Sequence, residues 1–312
     1  MLPPFRIQQT ALLTLLLLLG LSALQPLNLF SETLTIATYN LGNYLPTDRI
    51  VHGIYQKNYP KPESEKTALR ANIKALHADI LAIQEIGSPA LLDELTRDLK
   101  RDGLDYPYSE ILETPADPER HIAVLSRRPL AKVIKHTDLA FKYLDTTETV
   151  KRGLLEVHVT TEAGDLALFI VHLKSRLTDR VDDPESAIRR TAEATVIRDQ
   201  ILKIYPNPAA ATSRYLILGD LNDTRANRPL RALSQRGKTQ IATPLPGTDS
   251  KDEVWTHFYA KQDTYSRIDH ILVSPSLRRN VQDISVTIYD GPSTLAASDH
   301  RPVYLRLTLN KR

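Results

Sequence analysis

The stretch Leu216-Ile217-Leu218-Gly219-Asp220-Leu221-Asn222-Asp223 constrains this chain most. An apolar run of strand length stops at a glycine, and polar side chains follow at once. A buried strand that ends this way delivers its polar tip to the rim of a sheet. Asp220 and Asn222 are two apart, so on an extended backbone they project to the same side. The carboxylate can hold a proton or a metal, and the uncharged amide can hold a nucleophile without titrating. Taken alone, the same residues also read as a strand followed by an Asx-rich turn.

The pattern recurs. Leu34-Thr35-Ile36-Ala37-Thr38-Tyr39 leads into Asn40-Leu41-Gly42-Asn43, a strand ending in an asparagine-bearing turn. Ile80-Leu81-Ala82-Ile83 runs into Gln84-Glu85, and a carboxylate there is costly to bury unpaired, so Glu85 sits at a mouth, is salt-bridged or binds a metal. Leu166 to Val171, paired hairpin-fashion with Gly153 to Thr160, ends in His172-Leu173-Lys174-Ser175-Arg176. Arg267 to Val273 reads as a strand with Asp269 in its middle, and Ser298-Asp299-His300-Arg301-Pro302 precedes the alternating strand Val303 to Leu309. Ile122 to Ser126 and Val133-Ile134 supply further strands. Helical spacing places helices over Ser64–His77 with Ser64 as N-cap, over Pro89–Lys100 behind Ser88, and over about Glu185–Tyr205.

The 312 residues, 42% hydrophobic and 25% charged, suit a globular fold with a real core. Forty basic against 37 acidic residues leave a net charge of +3, less lopsided than a protein built to coat nucleic acid. The absence of cysteine excludes disulfides, thiolate zinc sites and a cysteine nucleophile. Serine-elbow, Walker and Rossmann motifs are absent.

In residues 1–30 Arg6 is the only charged side chain, and Ala11 to Leu24 is a leucine-dominated block. Its length suits the apolar region of a secretory signal better than a full membrane span of about 20 residues. Gly20-Leu21-Ser22 is a tolerable cleavage site, with an uncleaved anchor as the alternative. The expectation is a signal or anchor over 1–31, a single domain over 32–312, and an exported protein, periplasmic or extracellular.

Asn, Glu, His and Asp at strand ends become one site if those ends gather at one edge of packed sheets. Such hard oxygen donors suit Mg²⁺ or Mn²⁺. Thr38-Tyr39-Asn40, Gln84-Glu85, His172-Leu173-Lys174-Ser175, Gly219-Asp220-Leu221-Asn222-Asp223, Arg267-Ile268-Asp269-His270 and Ser298-Asp299-His300-Arg301-Pro302-Val303 resemble, in order and spacing, the endonuclease/exonuclease/phosphatase superfamily. That is the fold of pancreatic deoxyribonuclease and the abasic-site endonucleases. The resemblance runs from about residue 33 to 309.

It implies an α/β (α+β) fold, a four-layer αββα sandwich of two mixed or antiparallel sheets with helices outside. It also implies phosphoester hydrolysis dependent on Mg²⁺ (or Mn²⁺). By the family pattern Glu85 is the principal metal ligand, with Asn40 beside it and Asp299 in the same shell. Asp220 and Asn222 position the attacking water, Asp269 orients His300, and His172 and His300 contact the scissile phosphate. Lys174 is either a phosphate contact or a solvated strand-end lysine, and Arg152 stands equally open to a substrate role. Asp223 reads as a turn acid, and His270 as packed on the opposite side of its strand from Asp269. An exported nuclease or phosphodiesterase acting as a monomer is the leading reading. The alternatives are a phosphatase or sphingomyelinase-like phospholipase and, least favoured, a non-catalytic binding protein.

Overall fold

The computed structural model describes residues 31–310, so the leucine-rich segment and the signal or anchor expected there lie outside the described residues. One seven-stranded sheet is built from β1 (Ser31–Tyr44), β2 (Ile80–Ile86), β3 (Tyr108–Thr114), β4 (Asp117–Ser126), β10 (Gly247–Thr248), β12 (Val286–Ile288) and β13 (Val303–Asn310), in the order β10-β12-β13-β1-β2-β4-β3. The six-stranded sheet contains β5 (Leu130–His136), β6 (Leu154–Thr161), β7 (Gly164–His172), β8 (Tyr215–Asp220), β9 (Thr243–Pro244) and β11 (Asp269–Val273), ordered β9-β11-β8-β7-β6-β5. Within them β1 runs parallel to β2 and β7 parallel to β8, whereas β13 and β11 run antiparallel to β1 and β8. Helices α1 (Glu63–Leu76) and α2 (Pro89–Arg101) cover one sheet; α3 (Ala187–Ile204) and α4 (Arg228–Ser234) cover the other. Among the described residues no helix is long and apolar enough to cross a membrane.

Strand alternation divides the apolar side chains among three layers. Ile36, Ile80, Ala82, Leu168, Ile170, Leu216, Leu218, Ile271 and Val273 meet between the sheets. Ala37, Tyr39, Leu81 and Ile83 point instead toward Leu69, Ile73, Leu92 and Leu95 of α1 and α2. Phe169, Val171, Tyr215 and Ile217 face Ile197, Ile201 and Leu230 of α3 and α4. Each strand is therefore buried on both faces, which is why these runs read as continuous hydrophobics. The layers are α, β, β, α, the fold class that the family resemblance implies.

Some boundaries differ for local reasons. The first helix starts at Glu63 with Pro62 at the cap position, so Ser64 lies inside it and makes no cap bond. The third starts at Ala187, where the Asp183 carboxylate accepts the amides of Ile188 and Arg189 at 3.1 Å each. Asp269 opens β11 and does not interrupt it, because it pairs with Asp220 at the end of the antiparallel β8. Strand β3 escaped the periodicity reading altogether, since only Leu112 and Thr114 of it are fully buried.

On the helix-facing side of β5 and β6 the buried Glu156 accepts from His136 Nε2 at 2.8 Å and His158 Nε2 at 2.7 Å. Burial opposes its charge, but the two imidazoles win and draw its pKa down to about 2. The hydrogen bond that His158 donates to Glu156 raises the pKa of His158 above 6.5. A depressed carboxylate stabilises the fold above its unfolded value of 4.5 and loses that contribution as the pH falls toward 2. A raised histidine contributes fully below 6.5 and loses its share as the pH climbs through its folded value. Urea unfolding of wild type and Glu156→Gln is therefore expected to show the largest gap, up to about 3 kcal/mol, between roughly pH 4.5 and 6.5. A gap that does not vary with pH would contradict this coupling.

Candidate active site

The layer between the sheets changes character at one end. The alternation that buries Ile36 and Thr38 continues to Asn40, that of Leu168 and Ile170 to His172, and that of Leu216 and Leu218 to Asp220. In β11 the same face carries Val273, Ile271 and then Asp269. The parallel strands bring their C-terminal ends to this edge, and the antiparallel β11 and β13 bring their N-terminal ends. Hence Asn40, Glu85, His172 and Asp220 come late in their strands, whereas Asp269 and His300 stand at or before the start of theirs.

Asp220 is the hub. Its Oδ2 accepts from Asn40 Nδ2 at 3.0 Å and lies 3.4 Å from His172 Nε2 and 3.9 Å from His300 Nε2. Its Oδ1 accepts the Asn222 amide at 2.8 Å. Asn222 reaches the same carboxylate with its side chain, Nδ2 to Oδ2 3.3 Å, while donating to the Leu173 carbonyl at 3.0 Å. It does so from a left-handed turn, φ 50°, and not from the extended backbone that its two-residue spacing suggested. His300 Nδ1 pairs with Asp269 Oδ2 at 2.8 Å, and Thr256 Oγ1 accepts the Asp269 amide at 3.1 Å.

Burial and the neighbouring Asp269 push the Asp220 carboxyl up to about 7, against the opposing pull of His300. For His300 burial disfavours the cation, but Asp269, Asp220 and Asp299 together hold it well above the usual histidine range. His172 moves the other way: burial, then Arg152 and His300, keep it neutral. The cluster thus holds an imidazolium, a neutral imidazole and a carboxyl poised near neutrality, environments that push paired groups apart.

Glu85 reaches the edge differently. Its parity with Leu81 and Ile83 would turn it under the helices. A bulge where the β1–β2 register slips, with Glu85 at φ 61°, swings it to the mouth. There Oε2 accepts the Asn43 amide at 2.9 Å, and no other hydrogen bond or ion pair holds the carboxylate among the described residues. Asn40 Oδ1 accepts the Gly42 amide at 3.1 Å. The Asp299 carboxylate abuts the same turn: a Cβ on Gly42, whose φ is +59°, would lie 3.3 Å from Asp299 Oδ1 and 2.8 Å from Ser298 Oγ. Asn40, Glu85 and Asp299 thus each bring a hard oxygen donor to the same Gly42–Asn43 turn, and donors of this kind suit Mg²⁺ or Mn²⁺. Desolvation raises the Asp299 pKa, but His257 and His300 hold it far below the carboxylate range. Tighter His/Asp groups, His257–Asp299–His300 and Asp220–Asp269–His300, also bring single ligand atoms within 4.8 Å, although Asp269 engages His300 Nδ1 in both.

Arg152 and Lys174 lie beside this cluster but are engaged. Arg152 Nε pairs with Asp117 Oδ2 at 2.7 Å, and its Nη1 donates to the Leu173 carbonyl at 3.3 Å. Lys174, with its pKa lowered to about 8 by burial and by Lys151 and Arg152, donates to the carbonyls of Ser175 and Leu177. Asp223 faces away, 3.0 Å from Arg190 Nε, and His270 Nε2 meets the Asp223 carbonyl at 3.0 Å on the helix side.

His257 was not foreseen. Its ring lies 4.6 Å from that of His300, and Nε2 is 3.7 Å from Asp299 Oδ2. It sits in the turn-rich stretch before β11, where only the short hairpin His257–Tyr259/Thr264–Ser266 could have signalled order. That loop is pinned by Arg301, which stacks 3.9 Å over Trp255 and pairs with Asp249.

A model of the endonuclease/exonuclease/phosphatase family matches residues 37–300. The chain belongs to this family. Sphingomyelinase C from Streptomyces griseocarneus is similar in structure, with a TM-score of 0.60 at 18% identity over 88% of this chain and 99% of that one. Beta toxin from Staphylococcus aureus, solved with bound magnesium ions, gives 0.59 at 15% identity over 88% and 99%. Caenorhabditis elegans TDP2 gives 0.54 at 16% over 88% and 97%. At these identities the likeness is one of fold. No curated protein matches the chain. Membership places it among hydrolases of phosphoesters.

In this family member Gly219 sets the approach of Asp220 to β7. Its φ is +144°, and a Cβ would fall 1.8 Å from the Val171 carbonyl oxygen. Gly219→Ala is expected to lower the unfolding free energy by roughly 3 kcal/mol or more in urea titrations. An alanine variant as stable as wild type would contradict the packing.

Proposed function

We propose that the chain is an exported, Mg²⁺- or Mn²⁺-dependent nuclease or phosphodiesterase, acting as a monomer. The observation that carries the reading is the Asp220 carboxylate, met by Asn40, Asn222, His172 and His300 within 3.9 Å. Glu85, Asn40 and Asp299 would hold the ion, which when bound neutralises phosphate charge and stabilises the leaving oxygen.

The chain's own residues supply the rest. Asp220, near 7, holds a water and accepts its proton, while the Asn222 and Asn40 amides fix the carboxylate without titrating. His300, kept cationic by Asp269, donates its Nε2–H to a phosphate oxygen, and neutral His172, facing the same Asp220 oxygen, donates to another. Arg152 and Lys174 add positive potential behind His172, with direct phosphate contact requiring release of their present partners. Export rests on the leucine-rich segment at Ala11 to Leu24.

A lipid phosphoester is the second reading, and a specific feature favours it. The hairpin Thr47–Val51/Ile54–Tyr59 exposes Ile50 at 77%, Ile54 at 62% and Tyr55 at 62%. Arg49 anchors it by donating to the carbonyl of Asn43, the residue that holds Glu85. The exposed Ile50 and Ile54 at this tip suit insertion into a membrane surface.

Residues 32–312 should hydrolyse phosphodiesters with Mg²⁺ or Mn²⁺ and stop when EDTA is added. Assayed on plasmid DNA, single-stranded DNA, RNA, bis-p-nitrophenyl phosphate, p-nitrophenyl phosphate and sphingomyelin vesicles, wild type is expected to cleave nucleic acid and His300→Ala to lose at least about 10³-fold. Turnover of vesicles alone would move the assignment to the lipid reading. No turnover of any substrate would contradict hydrolase function.

A further inference from the structure

A groove of about 840 Å³ lies on the opposite side of the Asp220–Asp223 turn from His300. It runs between α3, α4 and the hairpin Ala140–Tyr143/Thr146–Thr149. Cations come from each wall: Lys142, Arg176, Arg228 and Arg231, with Arg190 at the base. Three carboxylates also line it. Asp223 is neutralised by Arg190 at 3.0 Å, Asp199 is paired with Arg198 at 2.8 Å, and Glu185 remains.

Arg190 is the decisive group, because it is only 1% exposed. Its Nε holds Asp223 and its Nη1 donates to the carbonyls of Lys174 and Glu185 at 3.1 and 3.0 Å. Its Nη2 has no hydrogen bond among the described residues, yet the side chain lines the groove. Arg228 and Arg231, exposed on α4, likewise make no ion pair among the described residues. Beside the cations lies an apolar wall of Phe141, Ile188, Val196 and Pro229, with Ile188 47% exposed. The last acid of the Gly-Asp-x-Asn-Asp motif, unused at the active site, is what holds this guanidinium in place.

We propose that this groove is a second ligand site that binds a phosphomonoester, its dianion on Arg190, Arg228 and Arg231 and its body on the apolar wall. Arg190 offers Nη2 alone, whereas the guanidinium forks of Arg228 and Arg231 can each match phosphate oxygens in pairs, and the groove is of the size of small-molecule sites. The site does not depend on the hydrolytic reading.

Isothermal titration calorimetry tests it on the His300→Ala protein in EDTA, with inorganic phosphate, glycerol phosphate and a nucleoside 5′-monophosphate as probes. One site per chain is expected, with affinity falling at least about tenfold when Arg228→Ala and Arg231→Ala are combined. Lys142→Glu, on the facing wall, should weaken binding in the same direction while the thermal midpoint stays put. In an otherwise wild-type chain the Arg228/Arg231 pair of substitutions should leave phosphodiester turnover unchanged. Absence of binding, or equal affinity in the double variant, would overturn the site. Inorganic phosphate binding as tightly as the nucleotide would overturn the role of the apolar wall.

Discussion

Two polar contacts across the open end of the sandwich govern the rest of this structure. Asn40 on one sheet donates to Asp220 on the other at 3.0 Å, and His300, which leads into β13, pairs with Asp269 of β11 at 2.8 Å. Away from this end the layer between the sheets is filled chiefly by Ile, Leu, Val and Ala. At this end the same inward-facing positions carry amide, imidazole and carboxylate. Buried polar groups of this kind are tolerated only when they satisfy one another, so the network seals the core and forms the site at once.

Electrostatics follow from that burial. Burial and the neighbouring Asp269 disfavour the Asp220 charge and raise its pKa to about 7, against the opposing pull of His300. His300, walled by Asp269, Asp220 and Asp299, is driven to the cation, while His172, facing Arg152 and His300, stays neutral. The backbone is also distorted here: Asn43, Glu85 and Asn222 adopt φ of 55°, 61° and 50°. A non-glycine residue in that region costs on the order of 1 kcal/mol or more, and such costs collect at functional sites. Glu85 shows what the distortion achieves, since regular pleating would have pointed it under α1 and α2.

Much of this was legible in the sequence because apolar strands ending abruptly in Asn, Glu, His or Asp leave those groups few places to go. Inward parity at Asn40, His172 and Asp220 follows directly from the hydrophobic alternation. The bulge at Glu85 and the turn at Asn222 did not, because left-handed φ at a non-glycine residue leaves no periodic trace. His257 was hidden for a related reason: its position depends on Arg301, Trp255 and Asp249 packing a loop against His300 over long sequence separation. The engagement of Arg152 with Asp117 is likewise a tertiary pairing that spacing cannot show.

On the proposed function Glu85 sits at the mouth to serve chemistry and not to hold the core. Parallel measurement of Mg²⁺-dependent phosphodiester turnover and of thermal unfolding for wild type and Glu85→Ala tests it most directly. A loss of at least about 10³-fold in turnover, about 4 kcal/mol, is expected, with an unfolding midpoint within roughly 4 °C of wild type. Full activity in Mg²⁺, or a variant that fails to fold, would contradict it.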